Sequence, residues 1–149
     1  MSRRLRKSDI RELNEQLPIE LDKKDDVQID GDVILVNGDF YFLAYESSWI
    51  PSVRLLLDRP ELLAQVVVDM GAVRFVAKGA DIMRPGIVGV PDVKKNTVVQ
   101  VVDEKNKKPL AVAKMKFSGS EIESMSSGNV VESIHYVGDE YWKKYVTKQ

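Results

Sequence analysis

Hydrophobic positions along this 149-residue chain change their period several times, and each change marks an element. Near the start, Ile10, Leu13 and Leu17 recur at helical spacing behind Ser8, a residue suited to cap a helix, and Pro18 closes the run. Val27 and Ile29 then alternate with polar neighbours in an acidic stretch, the pattern of a short edge strand with a turn at Gly31. DVILV and DFYFLAY flank Asn37-Gly38, a dipeptide favoured where both central residues of a hairpin need positive φ, so the two segments are expected to pair. Pro51 is placed to open a helix through Leu57, and Pro60 a shorter one through Ala64.

The richest pattern runs from Val66 to Val90, VVVDMGAVRFVAKGADIMRPGIVGV. A β-branched run to Asp69 predicts a strand. Gly71 to Lys78 predicts a helix with Ala72, Phe75 and Val76 on one face and Gly79 ending it, and Pro85-Gly86 predicts a turn. Thr97–Val102 and Leu110–Phe117 read as strands around the polar loop DEKNKK. On the second, Ala111, Ala113, Met115 and Phe117 share one face, leaving Lys114 and Lys116 together on the other, about 7 Å apart. Ser118 and Glu121 have capping-box spacing before a helix carrying Ile122 and Met125, which Gly128-Asn129 closes. Val130–Val137 is the last strand, and Gly138-Asp139 turns into an aromatic tail.

VDMGAVRFVAKGADIMRPGI resembles the opening of a PUA domain, a small β-barrel module of RNA-modifying enzymes and translation factors. IHYVGDEYW is similar to the end of the PUA proteins related to the malignant-T-cell-amplified translation factor and ligatin, which carry an extra domain ahead of the barrel. The resemblance implies an α+β protein: an N-terminal α/β pre-PUA domain over residues 1–65, then a PUA-type pseudo-β-barrel over residues 66–149. One departure is that Lys95-Asn96 stands where such domains usually place a Gly-Asp pair.

Charge sharpens this picture. The net charge is -1, yet residues 1–65 hold nine Lys and Arg against thirteen Asp and Glu, whereas residues 66–149 hold thirteen against ten. A mildly basic second half suits local contact with a phosphate backbone, and solvated surface charge accounts for it as well. Arg3, Arg4, Arg6 and Lys7 form a basic arm open to the same two readings. No apolar run approaches a membrane span, and the N-terminus lacks a secretory core, so a cytoplasmic protein without membrane contact is expected.

Catalytic chemistry is thinly supplied. The absence of cysteine removes disulfides, thiolate nucleophiles and cysteine zinc sites. His135, the one histidine, lies in an apolar strand; GxSxG, Walker and GxGxxG patterns are missing, and DVQIDGD lacks the spaced ligands of a calcium loop. No enzyme activity, cofactor or metal is expected.

Arg74 and Lys78, four residues apart, project from one helical face, where an anion between them would ease their repulsion. By the resemblance, RNA contact extends to Arg74, Lys78, Gly79, Ala80, Arg84, Pro85 and Gly86. The plainer reading keeps the glycines and Pro85 for the turn and Lys78 for the helix C-terminus. Lys114 and Lys116 could follow successive phosphates. Lys143 and Lys144, interleaved with Tyr141, Trp142 and Tyr145, could hold phosphates while rings stack bases, although Trp142 also suits a plug for the barrel.

The function implied is non-catalytic recognition of structured RNA, tRNA or small-subunit rRNA, in translation initiation, reinitiation or recycling. Partners would be RNA and the ribosomal small subunit or a translation protein. Two alternatives stay open: an accessory subunit that targets a separate RNA-modifying enzyme, and a protein-interaction scaffold.

Overall fold

Residues 2–147 are described by the structure, a computed structural model; residue 1 and residues 148 and 149, the outer ends of the two expected domains, lie outside the described residues. Five strands, β1 (Ser2–Arg4), β2 (Val27–Asp30), β3 (Val33–Val36), β4 (Asp39–Tyr45) and β5 (Ser48–Pro51), form an antiparallel sheet in sequence order. The β3–β4 hairpin turns at Asn37 and Gly38, with φ of 52° and 87°, as the dipeptide predicts. A second turn has the same left-handed geometry at Glu46 and Ser47, where no glycine advertises it. Its consequence is β5, in a place where the sequence suggests the start of a helix. Pro51 ends that strand at the edge of the sheet, where a missing N–H does little harm. Ser52 does the capping instead: its hydroxyl accepts from the Leu55 N–H at 3.1 Å and donates to the Phe40 carbonyl at 2.7 Å, opening α2 (Val53–Asp58).

The basic arm is ordered. β1 pairs with β2, Arg3 opposite Ile29, so β2 is an inner strand and not the edge its pattern suggests. Arg4 pairs with Asp26 at 2.9 Å and Arg3 with Asp9 at 3.7 Å. Helix α1 (Lys7–Asn14) starts before Ser8, because the Asp9 carboxylate accepts the Arg6 N–H at 3.0 Å. Both faces of the sheet are covered. Val27, Ile34, Val36 and Phe42 pack with Ile10 and Leu13 of α1, and Val33, Phe40 and Leu43 pack toward the second half of the chain.

That half is built on β6 (Gln65–Val68), β7 (Ile82–Met83), β8 (Ile87–Gly89), β9 (Val98–Asp103), β10 (Pro109–Met115) and β11 (Asn129–Tyr136). Their order is β7-β11-β10-β9-β6-β8, antiparallel except for the parallel pair β6 and β9. Because β7 and β8 occupy opposite ends of the sheet yet are joined by the single 3-10 turn Arg84–Gly86, the sheet must curl back on itself. This is the pseudo-barrel. Ala111, Ala113 and Met115 fill its interior with Val66, Val68, Val99 and Val131, and Ile122 of α4 (Gly119–Glu123) packs on the same core. The capping box is present: the Ser118 hydroxyl accepts from the Glu121 N–H, and the Glu121 carboxylate from the Ser118 N–H.

The aromatic tail does not plug the barrel. It forms α5 (Glu140–Tyr145), which packs on the first sheet through Phe40, and Trp142 is half-buried in that seam. The reason is a set of partners from the other end of the chain: Tyr141 donates to Asp32 at 2.6 Å and Tyr145 to Asp30 at 2.8 Å. His135 is fully buried here, with Nδ1 2.8 Å from Asp139, the residue that caps α5.

Burial pushes the Asp139 carboxyl up, but the bond to His135 and its charge, joined by the Trp142 and Tyr136 N–H groups, outweigh burial and hold it below the usual aspartate value. A carboxyl depressed on folding contributes stability above its unfolded pKa and loses it as pH falls through the folded one. Asp139→Ala is therefore expected to cost about 2 kcal/mol at pH 7. The gap from wild type should narrow as pH falls below about 4, the unfolded carboxyl's range, and close only once the pH has passed below the depressed folded value. Urea unfolding at pH 7 and pH 3 checks this; an unchanged gap would assign the effect to packing.

Candidate nucleic-acid interface

Between β6 and β7 the chain forms α3 (Met70–Val76). Asp69 sets its start: its carboxylate accepts the Ala72 N–H at 2.9 Å, and its own N–H donates to the Gly86 carbonyl at 2.9 Å. Gly79 stops it at a φ of 88°, and a Cβ there would come 2.5 Å from the Tyr136 ring. Gly86 serves differently from the turn expected of Pro85-Gly86. Its φ is ordinary, and its small size matters because a Cβ would meet that of Ala72 at 2.9 Å.

This close approach shapes a groove of about 640 Å³ between α3 and the segment from Ala80 to Gly86. Ala72, Val76 and Ile82 line it, with Phe75 and Met83 also in its walls. Phe75 was a candidate for the core face of the helix, yet it is 52% exposed and Met83 is 50% exposed. In a helix of seven residues Val76 alone is buried, so the apolar face is too narrow to include its neighbour. Half-exposed apolar side chains around a concave surface are the usual character of a binding site, which makes this groove the candidate. The Arg74 guanidinium lies 4.8 Å from the Phe75 ring centroid, a cation held over an exposed ring.

The expected contact residues separate into two groups. Arg74, Lys78, Ala80 and Pro85 are exposed on or beside α3, and neither Arg74 nor Lys78 pairs with a carboxylate among the described residues. Gly79 and Gly86 are half-buried beneath them. Arg84 is turned inward, against the expectation of an offered charge. Its Nε donates to the carbonyls of Ile122 at 2.7 Å and Met125 at 3.0 Å, and Nη1 to that of Ile87 at 3.1 Å. The guanidinium ties the lip of the groove to the end of α4.

Lys114 is likewise engaged. Its ammonium is 3.3 Å from Glu46 and 5.6 Å from the Tyr45 ring centroid, and the side chain is 16% exposed. The bond to Glu46, then that to Tyr45, holds its pKa above the usual lysine value. A paired, largely covered lysine joins the two halves of the molecule and does not follow a phosphate alongside Lys116, which lies partly buried just beyond β10. Lys143 and Lys144 are exposed on α5, Lys144 5.2 Å from the Tyr145 ring centroid. None of these four lines the groove.

A curled sheet with a helix and a bare turn across its open end defines a class, the PUA-domain proteins, and residues 64–137 match the family model described as PUA domain. The chain is 37% identical over 141 residues to malignant T-cell-amplified sequence 1-B of Xenopus laevis, covering 87% of this chain and 75% of that protein. It is 36% identical over 120 residues to translation machinery-associated protein 20 of Schizosaccharomyces pombe, covering 77% and 63%. The crystal structure of a hypothetical protein from Pyrococcus horikoshii shares the fold with a TM-score of 0.80 at 31% identity, covering 98% of this chain and 100% of that one. The chain belongs to the malignant T-cell-amplified sequence family of PUA proteins.

Proposed function

We propose that this protein is a non-catalytic RNA-binding factor of translation, acting in the cytoplasm, that docks structured RNA across α3 and the groove beside it. One observation carries this reading: an apolar groove with a half-exposed aromatic, overlaid by a cation, next to exposed Arg74 and Lys78, which pair with no carboxylate among the described residues. In it, Arg74 and Lys78 take phosphates, Gly79, Ala80, Pro85 and Gly86 allow the backbone to approach, and Phe75 stacks on a base. Lys116, Lys143 and Lys144 make outlying contacts.

The ligand proposed is tRNA or small-subunit rRNA, and the step is initiation, reinitiation or recycling. Support comes from membership in a family with a relative named for association with the translation machinery. Residues 66–149 form the RNA-binding unit in this account, and residues 1–65 face the ribosome or a protein partner.

Two measurements test it. Filter binding with a tRNA pool and with naked small-subunit rRNA should show an affinity that Phe75→Ala weakens by about 1–3 kcal/mol, the worth of one stacked base. The protein should also co-sediment with small ribosomal subunits. Binding to neither RNA would remove the proposal, and an unaltered affinity in Phe75→Ala would remove stacking from it.

A further inference from the structure

We infer that the loop between β9 and β10, Glu104 to Lys108, is a second phosphate-gripping element that continues the α3 surface; this rests on the RNA reading above. β6 and β9 run parallel with Val68 opposite Asp103, so α3 and this loop leave the sheet at the same end. Glu104 joins them: its Oε2 accepts the Met70 N–H at 2.8 Å. Asp103, 5% exposed, is turned inward, its carboxylate accepting the N–H groups of Asn106 at 2.6 Å and Lys108 at 3.2 Å. Its carbonyl takes the Lys107 N–H at 3.0 Å, and Lys107 holds a φ of 54°.

Both acids of the segment are thus engaged with main-chain N–H groups, while Lys105, Lys107 and Lys108 are exposed. The Lys107 ammonium donates to the Glu104 carbonyl at 3.1 Å, and none of the three pairs with a carboxylate among the described residues. Solubility alone needs no such arrangement, since a mobile loop carries charge equally well. Fixing three like charges within four positions is unfavourable unless an anion comes between them, and a loop already ordered loses little entropy when it binds one. Met70 and Arg74 are four residues apart, about 6 Å along the axis of α3, and Lys78 stands in the turn just past its end. The loop lysines therefore begin a row of cations that Arg74 and Lys78 extend.

The test is binding of a tRNA pool by the full chain as a function of salt. Lys105→Ala/Lys107→Ala/Lys108→Ala should make the slope of log K against log salt shallower by about 2. Glu104→Ala separates placement from charge. It removes a negative charge, which by itself strengthens binding to a polyanion, yet it cuts the loop's tie to the start of α3 and is expected to weaken affinity on the order of threefold. A slope unchanged in the triple variant, or tighter binding by Glu104→Ala, overturns the loop's role. If Arg74→Ala/Lys78→Ala flattens the slope and the triple variant does not, the groove stands and the loop falls. If the wild-type chain binds no tRNA and no small-subunit rRNA, both fall.

Discussion

Alanine at position 84 is expected to destabilise the protein by about 2–4 kcal/mol and to weaken RNA binding without altering its salt dependence. The guanidinium satisfies three carbonyls at once, and two of them, from Ile122 and Met125, close the end of α4. Removing it takes the charged donor from all three carbonyls, leaves that of Ile122 with main-chain donors alone, the Met125 N–H at 3.0 Å among them, and releases the lip formed by Pro85 and Gly86. Lysine should not restore stability, because an ammonium on a flexible stem cannot reproduce a planar fork. Urea unfolding reads the first effect and a salt titration of RNA binding the second. A slope shallower by about 1 in Arg84→Ala would return this residue to the list of phosphate ligands.

Gly119→Ala should destabilise by about 3 kcal/mol or more, although position 119 is far in sequence from α3. Its Cβ would collide with the Pro91 carbonyl oxygen and stand 3.3 Å from the Asp92 Cα. Main chain cannot rotate away as a side chain would, and the Gly119 N–H already donates to the Val93 carbonyl at 2.8 Å. With the size scaling of thermal unfolding, the melting temperature is expected to fall by about 6–12 °C. Calorimetry checks it, and a loss of less than about 0.5 kcal/mol would mean that α4 does not press on the 91–93 segment.

Features encoded within a few residues could be read from the chain. Asn37-Gly38, the stop at Gly79 and the Ser118–Glu121 capping box each depend on chemistry that neighbours supply. The contacts missed are those settled across long separations. Arg84 finds its carbonyl partners 38 and 41 residues away, and Tyr145 finds Asp30 115 residues away, which places α5 on the first sheet and leaves Trp142 no need to plug the barrel. Three residues of β1 suffice to turn β2 from an edge into an inner strand. Phe75 illustrates a different limit: over seven residues the helical period is too short to fix the phase, so a ring placed with the core belongs to the groove. Of the candidate site, the position on α3 and its turn was legible, while the division between cations that face solvent and cations held by the fold was not.

The claim most exposed to measurement is that Arg74 and Lys78 meet phosphates directly. Affinity for a tRNA pool should be recorded from low to moderate salt for the wild type and for Arg74→Ala/Lys78→Ala, after circular dichroism shows both folded. The double variant should give a slope of log K against log salt shallower by about 1.4–1.8, two phosphate contacts fewer. Parallel lines for the two proteins would place the RNA on another face of the molecule.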